Sequence, residues 1–216
     1  MKERFELLVF DWDGTLCDSI GWIVHCIQQA VLACGLPALS DEAARSVIGL
    51  RTDVAMMELF PGITGPFVGN LVTAYREAYF SKAVGAEDLF AGVTEMLRGL
   101  RARGYKLAVA TGKTNKALNR ALEATATASL FDTVRSAETT ASKPDPEMLL
   151  QIMAELDVPR ERTLMIGDSV HDLRMASNAR TCAVAVACGA NTEEQLLALN
   201  PLVCLVRTAD LLALLT

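Results

Sequence analysis

At 216 residues, with 51% hydrophobic and 21% charged side chains, the chain has the length and composition of a folded protein with one large core or two smaller ones. Its formal charge of −6 argues against a broad cationic surface for nucleic acid or an anionic membrane. The cysteines at 17, 26, 34, 182, 188 and 204 form no CxxC pair and have no histidine-rich neighbourhood, which excludes the usual structural zinc spacings.

Met1-Lys2-Glu3-Arg4 leads straight into a short strand without a signal-peptide pattern, and no apolar run reaches about 18 residues. A cytoplasmic, reducing setting is therefore expected, with Cys182 and Cys204 as small core residues in apolar runs. The run Leu7-Leu8-Val9-Phe10 then stops at Asp11, and Asp13 follows before Gly14 and Thr15 turn the backbone. Side chains two apart on an extended segment point the same way, so Asp11 and Asp13 are expected to project together and to repel.

Ile20, Ile23, Val24, Ile27 and Val31 recur at helical spacing, and Gly35-Leu36-Pro37 ends that helix. Ser40 is a candidate N-cap for a short helix ending near Gly49, and another runs from about Thr52 to Phe60. A fourth carries Val68, Leu71, Val72, Tyr75 and Tyr79 on one face. Residues 17 to 85 thus read as consecutive helices, an all-helical insertion.

From Gly92 strands and helices alternate. A helix over 93–103 ends at Gly104, and a strand covers Tyr105 to Ala110 before Thr111-Gly112-Lys113 and a helix to about 124. A short strand spans Phe131 to Val134, and Lys143-Pro144-Asp145-Pro146 opens a helix to 156. Thr163 to Ile166, Cys182 to Val186 and Leu202 to Leu205 complete the strands, with a helix from about 170 to 178. This alternation predicts right-handed crossovers and a parallel, Rossmann-like α/β sheet.

Ligands of such sheets bind beyond the carboxyl ends of the strands. The strand ends deliver Asp11 and Asp13, then Thr111 and Gly112, then Lys143, then Asp168 and Asp172. An oxygen-only donor set without His or Cys suits a hard cation, Mg2+ in particular, which accepts a few carboxylates and keeps waters and a phosphate oxygen.

Those residues resemble the motifs of the haloacid dehalogenase-like (HAD) phosphohydrolases. Asp11-Trp12-Asp13-Gly14-Thr15-Leu16 is similar to the first motif, with Trp12 where Phe is usual. Thr111-Gly112, Lys143-Pro144 and Gly167-Asp168-Ser169-Val170-His171-Asp172 are similar to the second, third and fourth. The tail Gly189-Ala190-Asn191-Thr192 with Glu194-Gln195-Leu196 resembles phosphoglycolate-phosphatase-like members. The resemblance implies a HAD-like core over 1–16 and 86–216 and a small helical cap over 17–85.

It further implies an Mg2+-dependent phosphatase acting on a small, phosphoglycolate-like phosphorylated metabolite. Asp11 would be the nucleophile, giving an aspartyl-phosphate, and Asp13 the general acid and then base, its backbone carbonyl also a metal ligand. Thr111 and amides near Gly14 and Gly112 would hold phosphate oxygens, and Lys143 would neutralise the anions. Asp168 would ligate the metal, while Asp172 would act through water or pair with Lys143. Arg51 stands where related caps place a substrate contact. Lys113 is expected to face solvent, His171 to be polar surface and His25 to serve packing only. Alternatives are a sugar-phosphate mutase of the beta-phosphoglucomutase kind and a catalytically silent phosphate-binding module. A monomer or weak homodimer is expected.

Overall fold

The computed structural model describes residues 4–215. It opens with β1 (Leu7–Phe10) and continues through four successive helices, α1 (Ile20–Ala33), α2 (Asp41–Ser46), α3 (Thr52–Leu59) and α4 (Gly65–Phe80). The alternating part then follows: α5 (Val93–Ala102), β2 (Lys106–Thr111), α6 (Asn115–Ala124), β3 (Thr133–Ser136) and α7 (Glu147–Leu156). The chain closes with β4 (Thr163–Gly167), α8 (Val170–Ala179), β5 (Cys182–Val186), α9 (Glu193–Leu197), β6 (Cys204–Leu205) and α10 (Leu211–Leu214).

All strand pairs are parallel, in the order β3-β2-β1-β4-β5-β6. The order reverses at β1, so the crevice between β1 and β4 is the sheet's switch point, where ligands of such sheets collect. β1 is fully buried because both of its faces are covered. Leu8 and Phe10 join an apolar cluster with Leu97, Leu118 and Leu211, while Leu7 and Val9 join Met148, Ile152 and Met175 on the opposite face. At roughly 1.5–3 kcal/mol per buried large aliphatic side chain, this packing holds the end of β1 in place.

The helical segment has an apolar cluster of its own, built on Ile20, Ile27, Met56 and Leu71 and touching the sheet layer through Ala117. The helical spacing read in α1 is the buried stripe of that helix, and Ser40 caps α2 by accepting the Ala43 N–H. Gly104 follows α5 with φ +87°, the left-handed backbone that its place after the helix requires.

Several boundaries differ from expectation. β3 begins two residues late, because Asp132 turns its carboxylate back to accept the Leu107 N–H at 2.8 Å. β6 shrinks to two residues at the open edge of the sheet. For the same reason Cys182 and Cys204 are half-buried and not core residues. The helices α9, capped by Thr192, and α10 carry no individual signal in the sequence reading. Among the described residues no helix is long and apolar enough to cross a membrane.

Candidate active site

β1 and β4 are hydrogen-bonded neighbours, and Phe10 pairs in register with Ile166. The next residues of the first strand and those just past the fourth therefore emerge side by side, which brings Asp11 against Asp168 and the first turn of α8. Carboxylate oxygens of Asp11, Asp168 and Asp172 lie within 4.8 Å of one another, all buried.

Each carboxylate is held by named partners. Thr15 Oγ1 donates to Asp168 Oδ1 at 2.6 Å, and the Ala190 N–H donates to Asp168 Oδ2 at 2.7 Å. Ser169 donates to Asp172 Oδ2 through its hydroxyl at 2.6 Å and its backbone N–H at 3.1 Å. Lys143 Nζ, fully buried, sits 2.8 Å from Asp11 Oδ1 and 2.7 Å from Asp172 Oδ1. These two contacts have ion-pair distance without hydrogen-bond geometry.

Burial dominates the electrostatics. Desolvation pushes the Asp11 carboxyl up to about 7 despite the opposing pull of Lys143, with Asp172 adding repulsion. Desolvation, then the charges of Asp11 and Asp172, hold Asp168 well above the usual carboxylate range. Lys143 stays protonated because the two adjacent carboxylates outweigh its burial. Were all three carboxylates ionised against one ammonium, the pocket would carry an excess of two negative charges, and the upward shifts of Asp11 and Asp168 are its response to that excess. A hard divalent cation fits that donor set and would offset the excess.

Asp11 and Asp13 both line one cavity beneath the helical segment, together with Thr111 and Lys113. Their carboxylates answer to different cations, so the expected mutual repulsion is present but weak. Asp13 Oδ1 accepts from Ser19 Oγ at 2.5 Å and lies 2.8 Å from Lys113 Nζ. Its charge is the smallest of the influences on Asp11.

Lys113 is thus not the solvent-facing residue expected from the sequence. It is buried, donates to Tyr79 Oη at 2.6 Å and lies 4.8 Å from the centre of that ring. His171 is buried too, its Nε2 donating to the Ser46 carbonyl at 2.9 Å, a contact between α8 and α2. His25 is exposed and stacks on Trp22. Arg51 turns aside to pair with Asp53 at 2.6 Å, and its backbone N–H donates to Ser142 Oγ. Its guanidinium is therefore engaged away from the carboxylates.

Gly14 and Gly112 are among the glycines that close approach requires. At Gly14, with φ +74°, a Cβ would stand 2.2 Å from Asp168 Oδ2, and at Gly112 it would meet the Leu50 carbonyl at 2.5 Å. Thr111 accepts the Lys113 N–H at 3.3 Å, leaving its own hydroxyl proton for a ligand. Thr15, Ser19, Ser169, Ala190 and Tyr79 were not singled out from the sequence. Thr15 and Ser169 lie inside the quoted motifs and Ala190 inside the tail, whereas Ser19 and Tyr79 carry no signal for this role.

A doubly wound parallel sheet with a buried acidic cluster at its switch point defines an α/β enzyme core. Residues 8–186 match the model of the haloacid dehalogenase-like hydrolases. The probable phosphatase IndB of Dickeya dadantii is 37% identical over 204 residues, 90% of this chain and 86% of its own. A phosphoglycolate phosphatase of Vibrio parahaemolyticus is 29% identical, covering 93% and 91% of the two chains. A hydrolase from Pseudomonas syringae superposes with a TM-score of 0.88 at 23% identity over 96% of each chain, which shows the shared fold. The chain belongs to the haloacid dehalogenase-like hydrolases, within the phosphatase branch of that family.

Proposed function

We propose that this phosphatase hydrolyses small phosphomonoesters with Mg2+, through an aspartyl-phosphate on Asp11. The observation that carries the reading is Asp11 itself, a carboxylate facing the cavity while Lys143 and Asp168 stand behind it. Asp11, Asp168 and the Asp13 backbone carbonyl would hold the cation, with Asp172 acting mainly as the partner of Lys143. When bound, Mg2+ offsets the charge that would otherwise keep an anionic phosphate away from Asp11.

An Asp11 oxygen forms the bond to phosphorus as the ester oxygen leaves. Asp13, fixed by Ser19 and Lys113, gives that oxygen its proton. The same carboxylate then takes a proton from the water that displaces phosphate from Asp11. Thr111 and the Gly112 amide hold phosphate oxygens during both steps. The helical segment over 17–85 serves as a lid on a core formed by 1–16 and 86–216, keeping bulk water from the reacting centre. Six free thiols among the described residues fit a reducing, cytoplasmic setting.

Phosphate release from an alkyl or aryl phosphate with Mg2+ tests the reading, together with Asp11→Asn. The variant should lose at least about 1,000-fold in kcat, on the scale of removing a covalent nucleophile. Turnover within threefold of wild type would remove Asp11 from the nucleophile's role.

A further inference from the structure

The cavity that reaches Asp11 is walled by the helical segment, and its walls are apolar. Ile23 and Ile27 come from α1, Ile48 and Leu50 from the loop after α2, and Met56 from α3. Tyr75, Tyr79 and Phe80 close it from α4. The Tyr75 and Tyr79 rings stack at 5.8 Å, and Phe80 meets Tyr79 edge-on at 5.4 Å. Burial holds both phenols neutral at ordinary pH.

The charges within this space are accounted for. Asp11 and Asp13 line it and are taken up by the chemistry proposed above. The ammonium of Lys113 is taken by Asp13 and Tyr79. Arg76 lines the space too, but it is an exposed residue that also borders two shallow outer recesses, which places it at the mouth. Arg51, the other cation of this region, is paired with Asp53. A second acid group on a substrate would enter a space of isoleucine, methionine and aromatic rings with no free buried cation, and burying an unpaired anion is strongly unfavourable. An uncharged apolar group gains from the same walls, and a flat ring gains most against stacked aromatics.

We propose that the leaving group of the natural substrate is uncharged and largely apolar, with a ring favoured, and that a carboxylate-bearing substrate such as phosphoglycolate is disfavoured. This rests on the phosphomonoesterase reading above and sets the substrate class for it.

The test compares benzyl phosphate, 2-phosphoglycolate and glycerol 3-phosphate, all of which release an alkoxide oxygen, so that chemistry is roughly matched. Benzyl phosphate should show kcat/KM about 10-fold or more above the other two, mainly through KM, the range in which hydrophobic pockets discriminate. Ile27→Ala should raise KM for benzyl phosphate several-fold more than it raises KM for glycerol 3-phosphate, lowering the ratio of the two kcat/KM values, a split that general loosening of the fold would not give. Calorimetric binding of benzylphosphonate and phosphonoacetate to the Mg2+-loaded protein repeats the comparison without turnover. Equal or tighter binding of phosphonoacetate, or a kcat/KM for phosphoglycolate equal to or above that for benzyl phosphate, would overturn the proposal. Absence of turnover with all three esters would instead count against the phosphomonoesterase reading, and the phosphonate pair would still decide the cavity's preference.

Discussion

Replacing Lys143 by methionine keeps most of the side chain's volume and deletes one charge. Lys143 has no exposed side-chain surface, and its ammonium is the cation at ion-pair distance from both Asp11 and Asp172. Removing one partner of a buried ion pair typically costs about 3–5 kcal/mol, because the other charge is left buried without compensation. Here two carboxylates lose their partner, so the upper part of that range is expected for the metal-free protein. For a chain of this size each kcal/mol lowers Tm by roughly 2–4 °C, so the fall should be about 10–20 °C. Thermal and urea unfolding in the presence of a chelator measure it. Asp172→Leu in the same background removes one stranded charge and should restore at least about 1.5 kcal/mol, a coupling that a double-mutant cycle isolates. A Lys143→Met protein within about 1 kcal/mol of wild type would refute the electrostatic account. So would strict additivity of the two substitutions, since the coupling comes from their contact.

The metal-free protein should also lose stability as pH rises. Asp11 has its folded value raised to about 7 against 3.8 for an unfolded chain, and Asp168 is raised as well. A raised carboxylate carries no penalty where both states are protonated, and its penalty grows as pH climbs from about 4 through 7. Saturating Mg2+ should flatten that dependence and add about 2.7 kcal/mol at 100 times its Kd, as urea titrations at pH 6 and pH 8 would reveal. Gly189→Ala should destabilise by about 1–3 kcal/mol and weaken Mg2+ stabilisation, because its Cβ would stand 1.9 Å from Asp168 Oδ2. Gly21→Ala, a helical site with nothing within 4 Å, should instead stabilise by about 0.5–1 kcal/mol, and chemical denaturation of the pair would expose any general intolerance of substitution.

The sequence by itself determined the alternating α/β plan, the helical insertion after β1 and the order in which polar residues leave the strand ends. Those features are local. Apolar periodicity marks α1 from Ile20 to Val31, and short apolar runs that end at Asp11 and Gly167 mark β1 and β4. What the tertiary structure alone decided is who faces whom. Lys113 looks like a helix-side cation in a one-dimensional reading, yet Tyr79, 34 residues earlier, covers it and joins it to Asp13. His171 is polar by type, but Ser46 from the helical segment buries it. Asp11 and Asp13 share a side of the chain two residues apart, and only the folded neighbourhood assigns one to Lys143 and the other to Lys113. Thr15 and Ala190 meet at Asp168 from positions 153 and 22 residues away. Exposure and charge pairing are sums over neighbours brought from distant parts of the chain, so they exist only once the sheet has closed and the helices have settled over its edge.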